Sequence, residues 1–375
     1  MKKRLAILGA TGSIGQAALD VVRADPEDFE VVLLSAHSRG AALERLGTEF
    51  PRALLVLGGE EMAVPQNGGL RRGREALLAA IEEAGADITL NGIAGAAGLL
   101  PSLAALRSRS SLALANKETV VLAYPLVKAL ADERGVPIIP VDSEHAAVFR
   151  LLEAHGRRQV REIILTASGG PFRGHSLRQL EKVTVREALA HPTWNMGPKI
   201  TVDSATMANK GLELIEAVRL FDMEPQQVKV VIHPQSVVHS LIRMADGALY
   251  AQLSRPDMRL PIREALYWPE LSPFPFGDLD LPGLRLDFEE PDGERFPMLP
   301  LAAETARRGG LYPCAYNAAN EEAVDAFFHG RAGFLDIPAI VHYVLDQDWG
   351  GELNLESITE ADRRSRRIAA SRIGG

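Results

Sequence analysis

With 375 residues, 46% hydrophobic and 24% charged, the chain is long enough for two or three domains with large cores and has an ordinary globular composition. Its formal net charge of −8 argues against nucleic acid as the main partner, and no stretch reaches the roughly 20 apolar residues of a membrane span. One cysteine, Cys314, allows no internal disulfide and points to a reducing, cytoplasmic setting, while the apolar run after Met-Lys-Lys-Arg is too short for a signal peptide.

Arg4–Leu8 predicts a short buried strand. Gly9-Ala10-Thr11-Gly12-Ser13-Ile14-Gly15 follows, then a helix with Ile14, Ala17, Ala18, Val21 and Val22 on its apolar face. Strand, glycine loop and helix is the arrangement that holds a pyrophosphate on backbone N–H groups. The spacing is G-x-x-G-x-x-G rather than the commoner G-x-G-x-x-G, and a tight turn without a ligand is the plainer alternative. A second strand, Glu30–Ser35, ends in Ala36-His37-Ser38-Arg39. An NAD-binding fold places an acid about 20 residues after the glycines. None is present here, and His37, Ser38 and Arg39 suit a 2′-phosphate, so the pattern favours NADP, although Arg39 reads equally as an ordinary exposed arginine.

Strands at Ala53–Leu57, Asp87–Leu90 and Ser111–Ala115 alternate with helices at Arg74–Ala84 and Leu99–Leu106, which predicts a parallel sheet covered on both faces. Ligands in such sheets sit beyond the carboxyl ends of the strands, where Asn116-Lys117-Glu118 stands. Taken alone, that tripeptide fits a solvated helix start better than a site. Val136–Val141 runs into Asp142-Ser143-Glu144-His145. Read as extended chain, Asp142 and Glu144 share one side, where two carboxylates repel unless a cation lies between them; oxygen ligands suit Mg²⁺ or Mn²⁺. An acid-rich start to the helix Ala146–Leu152 is the alternative.

After the strand Arg161–Thr166, Ala167-Ser168-Gly169-Gly170-Pro171-Phe172 suits a hinge, and the polar stretch up to Pro198 suits a lid. Residues 191–217 hold the densest chemistry. Pro192 and Pro198 predict a loop carrying His191 and Trp194. From Ser204 the pattern turns helical, with Leu212, Ile215 and Val218 as its apolar stripe. Asn209 and Lys210 stand four and three residues before Glu213, so either can meet it on one face. An ammonium, an amide and a carboxylate together suit an anionic ligand beside a metal, although a solvated helix face reads the same residues. Val228–His233 and Ala248–Leu253 predict strands of a smaller α+β domain with one sheet face free for a partner, separated by Gln235–Ser240. Seven prolines between Trp268 and Pro300 mark a linker; the remainder is helical in pattern, clearest at Asn317–Phe328, and Arg363–Arg367 reads as the solvated face of a last helix.

Together these stretches resemble the 1-deoxy-D-xylulose 5-phosphate reductoisomerase family over nearly the whole chain. The resemblance is carried by Gly9–Gly15, Leu114–Glu118, Val141–His145, Ala167–Phe172, residues 191–217, His233–Ser236, Arg255–Met258 and Ala318–Glu321. It implies an α/β fold with an NADPH-binding Rossmann-like domain at 1–141, a central α+β catalytic domain at 142–267, a proline-rich linker at 268–293 and a helical C-terminal domain at 294–375. It also implies a homodimer. Thr11, Gly12, Ser13 and Ile14 would cradle the NADPH pyrophosphate, with His37, Ser38 and Arg39 at the 2′-phosphate; Asn116, Glu118 and Gly197 would complete the cofactor site. Asp142, Glu144 and Glu213 would ligate Mg²⁺ or Mn²⁺. Ser168, Ser204, Asn209 and Lys210 would hold the phosphate of the sugar substrate. Lys117, Ser143 and His191, with Glu144, would face its reacting part, under a lid bearing Trp194. The segment between His145 and Ser168 is shorter than in many members, and His37-Ser38-Arg39 departs from the family's usual residues.

The implied chemistry breaks and re-forms a carbon–carbon bond, retro-aldol then aldol, and reduces the resulting aldehyde. A cation that chelates a hydroxyl and a neighbouring carbonyl oxygen explains hard carboxylates and no thiolate. A closed lid keeps fragments in and water out, and the remote phosphate contributes binding energy to alignment. Two rivals fit parts of the chain. A semialdehyde dehydrogenase acting through a thioester needs a nucleophilic cysteine, and Cys314 lies far in sequence from the cofactor motifs. A non-catalytic NADP-binding sensor would not need Asp142, Glu144 and Glu213 together.

Overall fold

The structure, a computed structural model, describes residues 1–59, 69–194 and 196–373. It divides into two compact units. The first comprises Met1–Thr119, Pro125–Ala146 and Asp257–Asp278; the second comprises Val120–Tyr124, Ala147–Pro256 and Leu279–Gly375.

In chain order the first stretch runs β1 (Lys3–Leu8), α1 (Ser13–Ala24), β2 (Phe29–Ala36), α2 (Gly40–Glu49), β3 (Leu54–Leu57), β4 (Leu70–Arg72), α3 (Arg74–Ala84), β5 (Ile88–Asn91), α4 (Leu99–Arg107), β6 (Ser111–Leu114), α5 (Lys117–Arg134), β7 (Ile138–Pro140) and α6 (Ser143–His155). The seven strands form one sheet in the order β4-β3-β2-β1-β5-β6-β7, and every pairing is parallel. β1 and β2 read as continuous apolar runs because helices cover both faces: Leu5, Ile7, Leu8, Leu33 and Leu34 are fully buried. The chain reverses direction across the sheet at β1, which pairs with β2 on one side and β5 on the other. That switch point leaves a crevice beyond Leu8 and Asn91, where the glycine loop stands.

The sequence reading ended the catalytic domain at 267 and began a linker at 268. The structure instead groups Asp257–Asp278 with the first unit. The physical reason lies in the helix α11 (Arg259–Tyr267). Its Arg263 pairs with Asp25, the Tyr267 ring meets Phe29 edge-on at 5.2 Å, and Lys3 Nζ donates to the Leu266 carbonyl at 3.1 Å.

The second unit holds β8 (Val160–Ala167), α7 (Leu177–Leu180), α8 (Val185–Ala188), α9 (Pro198–Ala205), α10 (Ala208–Leu220), β9 (Val228–Ile232), β10 (Val238–Met244), β11 (Leu249–Leu253), α12 (Met298–Arg308), α13 (Tyr312–Phe328), α14 (Asp336–Leu345) and α15 (Leu355–Ile373). Its four-stranded sheet has the order β11-β10-β8-β9, parallel only between β8 and β9. α7 and α8 are single turns that exist because Ser176 with Gln179, and Thr184 with Glu187, close capping boxes. α10 is buried from Lys210 through Ala217 and packs on α12 and α13. At the chain's end Arg366 of α15 reaches Glu321 at 2.5 Å and Glu322 at 3.2 Å on α13, while Arg363 and Arg367 pair with Glu360 on the exposed side. The basic cluster is thus only partly a solvated face. Among the described residues no helix is long and apolar enough to cross a membrane.

Candidate active site

The glycine loop is built by exclusion. Gly9 adopts φ +81, and a Cβ there would stand 2.7 Å from the Gly92 carbonyl oxygen. A Cβ at Gly15 would stand 2.4 Å from Gly9 O and 2.5 Å from Ala10 Cα, so only glycine lets α1 start this close to β1. Gly12 caps α1 without a side-chain hydrogen bond. The N–H groups of the first turn therefore face outward with Thr11, Gly12, Ser13 and Ile14, all exposed or half-buried. Arg39 Nη1 donates to the Thr11 carbonyl at 2.9 Å, which brings the end of β2 to the loop; His37 and Ser38 stand exposed beside it.

Asn116 caps α5 and is buried. Its Nδ2 donates to Ile93 O at 2.7 Å, Gly95 O at 2.9 Å and Glu118 Oε2 at 2.8 Å, and its Oδ1 accepts from Thr119 N at 3.0 Å. That saturation locks the turn from which Lys117 and Glu118 project. Lys117 is buried, and its Nζ lies 2.6 Å from Asp142 Oδ2 at the end of β7. Ser143 donates to the Glu144 carboxylate. The expectation that Asp142 and Glu144 share the side of an extended strand is overturned: α6 begins at Ser143, so Glu144 sits in the first turn of a helix and Asp142 just before it. His145 Nδ1 lies 3.9 Å from Asp142.

In the second unit, Ser168 ends β8 beside Gly169 and Gly170, whose φ angles of +82 and +66 suit glycine. Ser168 Oγ accepts from Gly170 N at 3.2 Å and lies 3.0 Å from His191 Nε2. His191 Nδ1 accepts two backbone N–H groups, Thr193 at 3.1 Å and Trp194 at 2.9 Å. Both need the lone pair on Nδ1, so the neutral ring carries its proton on Nε2 and donates it to Ser168. Burial lowers the His191 pKa and keeps that neutral form.

The loop expected between Pro192 and Pro198 is present among the described residues, but the helix begins at Pro198 rather than at Ser204. At the first helical position a missing N–H removes no bond, and Gly197 stands as its cap. α9 then stops at Met207, whose φ of +65 breaks the run before α10 begins. Ser204 is half-buried near the end of α9. Both expected pairs on α10 form: Asn209 Nδ2 donates to Glu213 Oε1 at 2.5 Å, and Lys210 donates to Glu213 Oε2.

Sequence reasoning assigns no role to two residues here, His239 and Asp203. His239 was read within a separator between strands, but β10 starts at Val238 and buries it. The Trp194 ring meets it edge-on at 6.2 Å, and burial, with a smaller push from Lys210, lowers its pKa to about 4. Nothing in local spacing marks it. Asp203, buried in α9, accepts from Lys199 at 2.8 Å and from Asn320 Nδ2 at 2.8 Å; it joins α9 to α13. Cys314 is buried in α13, and burial pushes its thiol up to about 12, which removes the thioester route.

Three family models match in succession: 1-deoxy-D-xylulose 5-phosphate reductoisomerase over residues 5–124, its C-terminal domain over 138–221, and the DXP reductoisomerase C-terminal domain over 253–368. The 1-deoxy-D-xylulose 5-phosphate reductoisomerase of Treponema denticola is 44% identical, with 99% of this chain and 97% of that protein aligned. The same enzyme of Treponema pallidum is 47% identical, with 98% and 96% aligned. Among solved structures, a DOX-P reductoisomerase in complex with NADPH, fosmidomycin and magnesium superposes with a TM-score of 0.92 at 39% identity, covering 99% of this chain and 98% of that one. The reductoisomerase from Zymomonas mobilis in complex with NADPH gives 0.90 at 40% identity, covering 100% and 99%. The chain therefore belongs to the 1-deoxy-D-xylulose 5-phosphate reductoisomerase family.

Proposed function

We propose that Asp142, Glu144 and Glu213 ligate one Mg²⁺ or Mn²⁺ in this NADPH-dependent enzyme, which isomerises and reduces 1-deoxy-D-xylulose 5-phosphate to 2-C-methyl-D-erythritol 4-phosphate. The oxygen-only donor set fits a hard divalent cation. Thr11, Gly12, Ser13 and Ile14 take the NADPH pyrophosphate on the open turn of α1. His37, Ser38 and Arg39 take the 2′-phosphate, and Asn116, Glu118 and Gly197 complete the cofactor contacts. Ser168, Ser204, Asn209 and Lys210 hold the substrate phosphate. Lys117, Ser143, Glu144 and His191 face the reacting carbons, and Trp194 covers them.

One observation carries this reading. In each unit a carboxylate assigned to the cation is neutralised by a lysine assigned to the substrate: Asp142 by Lys117, Glu213 by Lys210. When each acid turns to the cation, its ammonium becomes available to the sugar phosphate. Bound, the cation supplies Lewis acidity to the hydroxyl and carbonyl oxygens, and NADPH supplies the hydride. His191 Nε2–H orients the Ser168 hydroxyl, leaving its proton for a phosphate oxygen. Trp194 excludes water above the reacting atoms.

The proposed state is a cytoplasmic homodimer. The lone cysteine supports the compartment. β11 supports the dimer: it is a sheet edge with Leu249, Tyr250 and Leu253 exposed, and such an edge is a template for another chain. NADPH consumption with 1-deoxy-D-xylulose 5-phosphate, abolished by chelator and restored by Mn²⁺, is the expected result. Consumption that survives exhaustive chelation counts against the metal assignment, and a monomer in sedimentation counts against the dimer.

A further inference from the structure

Pro125 lies inside α5 and carries no N–H, so the Val121 carbonyl loses its donor one turn on. At Ala123 the backbone leaves helical geometry, with φ −142 and ψ 22. Arg219, in the last turn of α10, answers that break: its Nη1 donates to Val120 O at 3.0 Å and to Val121 O at 2.6 Å. In return, the Tyr124 hydroxyl donates to the Leu220 carbonyl at 3.4 Å. The kinked segment Val120–Tyr124 is counted with the second unit, while the parts of α5 on either side are counted with the first.

An apolar side chain here would avoid burying a cation but would leave the Val121 carbonyl without a donor. Burial lowers the Arg219 pKa to about 10, and at neutral pH the guanidinium still holds its charge and all its donors. A planar donor group aimed at two successive carbonyls sets the direction of a kink as well as satisfying it. Three residues before Val120, α5 opens with Lys117 and Glu118, which the proposed function places at the substrate and the cofactor.

We propose that Arg219 is a positioning residue for the reaction: by clamping the Pro125 kink it fixes the direction in which the first turn of α5, with Lys117 and Glu118, leaves the kink. The proposal rests on the roles assigned above to Lys117 and Glu118. A purely structural Arg219 would do no more than satisfy the two carbonyls, and the two roles separate experimentally because Pro125→Ala restores an N–H to Val121 O without the clamp.

The test compares wild type, Arg219→Met, Arg219→Lys, Pro125→Ala and the Arg219→Met/Pro125→Ala pair in the full-length enzyme. Steady-state kinetics with 1-deoxy-D-xylulose 5-phosphate, NADPH affinity by fluorescence and the thermal midpoint are read for each. Arg219→Met is expected to lower kcat about tenfold or more, while NADPH Kd moves by less than about threefold, since the glycine loop and the Asn116 network are untouched. Arg219→Lys is expected to recover part of kcat. The double variant is expected to recover the thermal midpoint without recovering kcat. An Arg219→Met enzyme with kcat within about twofold of wild type overturns the proposal. So does a double variant that regains kcat together with stability. Should Arg219→Met not fold, Arg219→Lys and the double variant decide it by the same criteria. Wild-type turnover is measured alongside: no NADPH consumption there overturns the underlying assignment, and this proposal with it.

Discussion

The glycine loop after β1 and the helix α10 are both proposed to hold phosphate, and they do so with different parts of the chain. At the loop the side chains are absent: Gly12 caps α1 with nothing but backbone, and Gly9 and Gly15 matter for the atoms they lack. On α10 the backbone is spent inside the helix, and the proposed phosphate contacts are the side chains of Asn209 and Lys210, both of which donate to Glu213. Backbone sites recognise a shape common to every pyrophosphate and are set by packing. Side-chain sites carry charge that must be neutralised whenever the ligand leaves, which explains the lysine pairing.

That contrast can be broken or sharpened by substitution, from the largest expected effect to the smallest. Glu213→Gln removes a charge from α10 and leaves Lys210 buried without its carboxylate. It is expected to lower kcat roughly a hundredfold or more, with a raised Mn²⁺ requirement in titrations of activity; near-normal turnover at limiting Mn²⁺ would remove Glu213 from the metal site. His239 adds pH sensitivity to the same region. Its folded pKa, about 4, lies below the ordinary value of 6.5, so the unfolded chain binds the proton more readily. Its contribution is complete above pH 6.5 and declines as pH falls toward 4, by about 3 kcal/mol in all. Urea unfolding across that window should flatten by this amount in His239→Asn, and an unchanged slope would contradict it.

At the loop, Gly15→Ala should destabilise the first unit by about 2 kcal/mol and weaken NADPH binding, because the new methyl overlaps backbone that cannot yield; denaturant midpoints and cofactor titration check both. Trp194→Ala should raise the substrate KM and lower kcat, together by about tenfold in kcat/KM. Unchanged kinetics in a folded variant would take Trp194 off the lid. Arg39→Ala is the smallest change: NADPH KM should rise by about fivefold while NADH KM stays put, and equal effects on both would move Arg39 away from the 2′-phosphate.

How much of this was legible in the chain depended on whether the signal was local. The first sheet was readable strand by strand because buried parallel strands are short apolar runs between glycines, and the Asn209–Lys210–Glu213 grouping followed from helical spacing alone. α5 was not foreseen as a helix of 18 residues, since Pro125 breaks the pattern and the repair, Arg219, comes from 94 positions away. The alternation argument for Asp142 and Glu144 fails because the strand ends at Pro140 and a helix begins at Ser143. Periodicity opens the helix only at Ser204, whereas Pro198, which bounds the loop, is already the first residue of α9. The grouping of α11 with the first unit is not legible in the sequence because the contacts that draw it there, Arg263 to Asp25 and Tyr267 to Phe29, span more than two hundred residues and leave no periodic trace.

The tail of the chain bears on the chemistry through two relays. Arg366 on α15 grips Glu321 and Glu322 of α13, and the neighbouring Asn320 holds Asp203, one residue before Ser204. A protease that nicked the polypeptide before Leu355 would cut no residue assigned to ligand binding, yet the severed helix would take with it the guanidinium that steadies α13. Loss of turnover on trimming would then be an injury transmitted through the scaffold, and adding back the excised peptide would be expected to restore part of it.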